Sequence, residues 1–207
     1  MTGKFVISLD FELFWGVGDT QTIGGYGRNV LGEWQAVPRM LALFRYHHLN
    51  VTWATVGAIM CRDYRQWRAL RPMVRPGAAQ PTAYACAEDE LVRQNPKLFF
   101  ARPLVERILD TDGQELATHT YSHFYCNDAD ATPEKLADDL QCAREVAAAM
   151  GAGFQTVVFP RNQIGADFLK VLPAAGIRVY RGNAQHWLFR DGDAVRGGLA
   201  GRIVRRA

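Results

Sequence analysis

Five short runs of β-branched, aromatic and aliphatic residues recur along this chain, and stretches of helical periodicity separate them. That alternation restricts the fold more than any other feature of the sequence. The runs cover residues 5–9, 51–57, 114–119, 155–159 and 177–180, each short enough for a buried strand. Helical spacing is expected over residues 33–48, where Val37, Met40, Leu41, Leu43 and Phe44 recur at three- and four-residue intervals. It is expected again over 103–109, 132–151 and 167–175. The helix from 132 is the best signalled: Thr132 can cap it, Pro133 suits its first turn, and Leu136, Leu140, Ala143 and Val146 form one apolar stripe. Strands alternating with helices imply parallel pairing through right-handed crossovers, in an open doubly wound sheet or in a barrel. A complete (β/α) barrel takes about 250 residues, so a barrel built from this chain of 207 is expected to be shortened or incomplete at its C-terminus.

Two stretches break the alternation. Residues 16–32 hold Gly16, Gly18, Gly24, Gly25, Gly27 and Gly32 and are expected to form an irregular lip over a site. Residues 71–96 hold Pro72, Pro76, Gly77, Pro81 and Pro96, which predicts an irregular insertion spanning about 65–100, with a short helix at 88–93. An apolar content of 48% over this length suits one domain, residues 1–207. The balance of 24 basic against 21 acidic residues gives nucleic acid no electrostatic footprint. Cys61, Cys86, Cys126 and Cys142 form no Cys-x-x-Cys pair and read as free thiols. Asp10 and Glu12 interrupt the N-terminus before a signal-length apolar run develops, and no later segment reaches the length of a membrane span, so the expected location is cytoplasmic. The oligomeric state is not encoded in any of these features.

Chemistry-bearing residues gather where the strand-like runs end. His119 and His123 follow the third run, and two imidazoles four residues apart meet one cation if the segment opens a helix. Asp10 and Glu12 follow the first run and supply a third ligand together with a free carboxylate, the combination a hydrolytic metal site needs. Arg161 follows the fourth run and is placed to pair with a carboxylate, orienting it and keeping it ionised. After the fifth run come His186, suited to protonating a leaving amine, and Trp187, suited to stacking on a sugar ring. His47 and His48 close a helix and read as structural. There is no Gly-x-x-x-x-Gly-Lys-Ser/Thr loop for phosphates, and Ser8 and Ser122 lack the Gly-x-Ser-x-Gly context of a serine hydrolase.

With these motifs in order, the chain resembles the polysaccharide deacetylase (NodB homology) family, carbohydrate esterase family four. Ser8-Leu9-Asp10-Phe11-Glu12 is similar to the family's first motif, His119-Thr120-Tyr121-Ser122-His123 to its metal-binding second, and Phe159-Pro160-Arg161-Asn162-Gln163 to its arginine motif. The resemblance implies a distorted (β/α) barrel binding zinc or a similar divalent ion, and hydrolytic removal of an acyl group from an amino sugar. The family's first motif has two adjacent aspartates, the first a base and the second a ligand. Here Phe11 intervenes and the second acid is a glutamate, so similarity makes Asp10 the base and Glu12 the ligand while the spacing leaves the reverse open. No late histidine in the family's Leu-x-His setting is evident. The substrate implied is an N-acylated sugar or glycan precursor; relatives that hydrolyse cyclic imides and ureides, and non-catalytic carbohydrate-binding relatives, are the alternatives.

Overall fold

The computed structural model describes residues 5–70 and 89–183. Five strands, β1 (Ile7–Phe11), β2 (Val51–Thr55), β3 (Gln114–Thr118), β4 (Thr156–Val157) and β5 (Val179–Tyr180), form one parallel sheet in the order β1-β2-β3-β4-β5. Spatial order equals chain order, with none of the reversal that defines a doubly wound sheet. The sheet is also curled. Flat, four interstrand spacings would hold β1 about 19 Å from β5, yet the Arg181 side chain, one residue past β5, reaches Ser8 and Asp10 on β1. The fold is therefore α/β, a distorted and incomplete (β/α) barrel. Among the described residues the outer edges of β1 and β5 pair with no further strand.

Alternation along the strands sorts their side chains. Leu9, Phe11, Val51, Trp53 and Leu116 join the core, where Trp53 meets Phe11 and Phe44 edge to face. The opposite face combines polar residues with the small Ala54 and Ala117. Register places Ser8, Thr52 and Glu115 in one row, and Glu115 accepts hydrogen bonds from Thr52 Oγ1 (2.6 Å) and Thr156 Oγ1 (2.5 Å). Among the described residues, β1, β2 and β3 place no Val, Ile or Leu on this face, unlike the branched apolar layers that fill a closed barrel.

The expected 16–32 loop is mostly a helix. Leu13–Gly16 forms a 3-10 turn, and a helix then runs over Ile23–Tyr46, capped by Thr22, whose Oγ1 accepts the Gly25 N–H (3.2 Å). Each interior glycine costs up to about 1 kcal/mol relative to alanine. Burying Val30, Val37 and Leu41 is worth about 1.5–3 kcal/mol apiece, so the apolar stripe extends the helix through the glycines. Helix Asp89–Gln94 lies near its expected place, while residues 71–88 of the predicted insertion fall outside the described residues. The helix expected at 167–175 is cut to Ala166–Leu169, because the Pro173 ring clashes with the carbonyl of residue 169 and supplies no N–H. Helix Pro133–Ala148 matches expectation: Thr132 Oγ1 accepts the Lys135 N–H (3.3 Å), and Leu136, Leu140, Ala143 and Val146 are buried. Cys61, Cys126 and Cys142 are free buried thiols, each pushed up to about 12 chiefly by burial, and Cys86 lies outside the described residues. Among the described residues no helix is long and apolar enough to cross a membrane.

Candidate metal centre

Strand β1 extends through Asp10 to Phe11, which leaves Glu12 as the first residue past the tip. The 3-10 turn after it folds the chain back, with Leu13 at φ 48°, and sets Gly16 beneath the Glu12 carboxylate. A Cβ at Gly16 would lie 1.8 Å from Glu12 Oε2, so only glycine leaves room for this side chain as placed.

His119 follows β3 directly, and its N–H donates to the Thr55 carbonyl (2.9 Å). The segment beyond it opens no helix. Thr120 and His123 take left-handed conformations, φ 64° and 59°, and such strained residues persist only where their surroundings over-determine them. Buried Asp139, on helix Pro133–Ala148, accepts the Tyr121 N–H (2.5 Å), the Ser122 N–H (3.1 Å) and the Ser122 hydroxyl. Thr120 Oγ1 accepts the Phe124 N–H (2.7 Å), and the N–H groups of Gly57 and Ala58 donate to the carbonyls of Thr120 (2.8 Å) and Tyr121 (3.0 Å). Gly57 is constrained as well, since a Cβ there would lie 2.9 Å from Tyr121 Cα. The histidines are thus presented by a strapped loop and not by successive turns of a helix. Burial pushes the Asp139 carboxyl up from 3.8 to about 6, against the lowering effect of its three donors.

The two elements converge. Glu12 Oε1 lies 2.9 Å from His119 Nε2 and 3.4 Å from His123 Nε2, and the imidazole centroids are 5.1 Å apart. Ligand atoms about 2.0–2.2 Å from a tetrahedral zinc are separated by about 3.4 Å, close to the two oxygen–nitrogen separations here, and all three atoms lie within 4.8 Å of one another. Both rings are fully buried, and His119 Nε2, despite its short approach to Glu12, has no partner in hydrogen-bond geometry among the described residues. Two nitrogens and one oxygen, one nitrogen orphaned, fit a divalent ion with a coordination position to spare. Burial raises Glu12, but the two imidazoles outweigh it and hold its carboxyl well below the usual range. Burial lowers His123 and so favours the neutral ring that binds metals.

Asp10 stands apart from this trio in a fork formed by Arg181. Nη1 and Nη2 of Arg181 donate to Asp10 Oδ1 (2.9 Å) and Oδ2 (3.0 Å), Nη1 also to Ser8 Oγ (3.1 Å), and Nε and Nη2 to Asn162 Oδ1 (3.1 and 3.0 Å). Arg161, expected to pair with a carboxylate, does so, but its partner is Asp19 and not Asp10. Arg161 and Asn162 adopt left-handed backbones (φ 53° and 52°), and Arg161 Nη2 donates to half-buried Asp19, which also accepts from the Tyr125 hydroxyl (3.0 Å). The Arg161 guanidinium lies 4.7 Å from the Tyr125 ring centroid. Sequence reasoning missed Asp19, Asp139, Asn162 and Arg181; of these, Arg181 carried a usable signal, because it directly follows a predicted strand. His186 and Trp187 lie outside the described residues.

A model of the polysaccharide deacetylase family matches residues 31–180. No curated protein matches the chain in sequence. Among solved structures, a wild-type pseudoenzyme of carbohydrate esterase family 4 from Bacillus anthracis is 15% identical with a TM-score of 0.46, covering 84% of this chain and 42% of its own. A family 4 carbohydrate esterase from Streptomyces lividans in complex with acetate is 16% identical (TM-score 0.46, 86% and 61%). The chitin deacetylase from the fungal pathogen Colletotrichum lindemuthianum is 12% identical (TM-score 0.46, 85% and 54%). The chain therefore spans less than two thirds of each of these proteins.

Proposed function

This chain belongs to the polysaccharide deacetylase family, and from that premise we propose that it hydrolyses the N-acyl group, acetyl in the simplest case, of an amino sugar in a glycan or glycan precursor. The observation that carries the reading is the approach of Glu12 Oε1 to the Nε2 atoms of both His119 and His123. These three residues would hold the divalent ion, zinc by the chemistry of the set. When bound, the ion supplies Lewis-acid polarisation of the acyl carbonyl and a lowered pKa for water.

Asp10 is the base in this reading. Its place outside the Glu12, His119 and His123 cluster and its bidentate pairing with Arg181 support that role, while the contacts of Glu12 with both rings support Glu12 as ligand. The Arg181 fork fixes the plane of the Asp10 carboxyl group, leaving lone pairs to accept the proton lost by the attacking water. His186 remains the candidate for protonating the departing amine.

Acetate release from a panel of N-acetylated amino sugars, measured with zinc-loaded protein, tests the proposal. Release from at least one sugar, abolished by Asp10→Asn at unchanged zinc content, is expected. Full zinc loading with no acetate from any sugar would leave a carbohydrate-binding relative or an imide hydrolase in its place.

A further inference from the structure

The two arginines at this mouth differ in how fully their donors are used. A guanidinium has five N–H groups. Those of Arg181 are all engaged, in five hydrogen bonds to Asp10, Ser8 and Asn162. Arg161 makes one hydrogen bond, from Nη2 to Asp19, and among the described residues its other donors have no partner. Its side chain is 45% exposed, whereas the carboxylate that anchors it is 8% exposed.

The position of Arg161 is also determined. Consecutive left-handed residues, Arg161 and Asn162, turn the chain at the end of β4, and Asn127 N–H donates to Gln163 Oε1 (3.1 Å), tying that turn to the loop that carries the histidines. The Tyr125 ring is in contact with both the guanidinium and the metal-binding set: its centroid is 4.7 Å from Arg161 Cζ and 5.1 Å from that of His123. An aimed cation with most of its fork unused, one ring away from the reacting centre, is suited to a planar or tetrahedral oxyanion.

We propose that Arg161 is a substrate-recognition residue and that the substrate carries a carboxylate or phosphate on, or next to, the ring bearing the acylamino group. This rests on the deacylase reading for its amide but is tested without turnover. Asp19 balances the charge of Arg161, so the gain comes from directed, charge-assisted hydrogen bonds and not from bulk attraction.

Glucose, glucuronate and glucose 6-phosphate have no amide to cleave, and their affinities for zinc-loaded protein can be measured by calorimetry. Charge-assisted hydrogen bonds of this kind correspond to about tenfold or more in affinity. Wild-type protein is expected to bind glucuronate, glucose 6-phosphate or both at least about tenfold more tightly than glucose, and the two anions separate a carboxylate substrate from a phosphate one. Arg161→Gln is expected to erase that preference, and Arg161→Lys, which keeps the charge and loses the fork, to fall between. Equal affinities in wild type, no binding of either anion, or an unchanged preference in Arg161→Gln, which would put the anion on the zinc alone, each overturns the proposal. Failure to release acetate would remove the deacylase reading while leaving this binding result intact.

Discussion

The two halves of the sheet are built differently. β1, β2 and β3 pair along five residues each, whereas β3 meets β4 at a single pair and β4 meets β5 at two. Glu12 and His119 sit at the ends of the long-paired strands, and Arg161 and Arg181 follow the short ones. Ligand atoms held to a fraction of an ångström benefit from a continuous ladder. The arginines are located instead by side-chain hydrogen bonds, left-handed turns and paired carboxylates, so their half of the mouth is a network more than a lattice.

Breaking the rigid half is expected to have the largest effect. His119→Ala with His123→Ala removes two of three ligands, so elemental analysis after metal reloading should fall from one ion per chain to none, with loss of acetate release. Next comes the strap beneath the histidines. Asp139→Ala leaves the buried N–H groups of Tyr121 and Ser122 without their acceptor, at a cost of about 3 kcal/mol or more, read from urea unfolding. The same residue gives a pH signature. Its folded pKa of about 6 exceeds the ordinary 3.8, so the folded chain holds this proton more tightly than the unfolded chain. Its contribution to stability therefore falls as pH rises between those values and is flat above them. Asp139→Asn should remove that slope relative to wild type.

The networked half should respond differently. Arg181→Gln frees Asp10 without touching a ligand, so zinc content is expected to stay at one per chain while kcat falls about 100-fold through misorientation. A parallel loss of zinc would show that the two halves are not separable. The smallest effect belongs to a residue remote from both: Thr132→Ala removes one helix cap and should lower stability by about 1 kcal/mol with no change in metal content.

Much of the rigid half was legible in the sequence because it follows from local rules. Strand-like runs ending in acids and histidines marked Glu12 and His119, and Thr132 with its apolar stripe marked the helix that carries Asp139. The glycines at 24, 25, 27 and 32 misled, since propensity is a weak local term and the burial that overrode it lies on other elements. The pairing of the arginines was not legible. Which carboxylate each one meets depends on how far the sheet curls and on left-handed turns at Arg161 and Asn162, where non-glycine residues give no warning. Asp139 was hidden for a related reason, because an aspartate on a helix reads as a solvated surface residue until the loop above it is placed.

Anomalous diffraction at the zinc edge from zinc-loaded crystals examines the centre most directly. One strong peak is expected within about 2.0–2.2 Å of Glu12 Oε1, His119 Nε2 and His123 Nε2, with Asp10 still in the Arg181 fork. A peak bonded to Asp10 in place of Glu12, or no peak between the two imidazoles, would contradict the account.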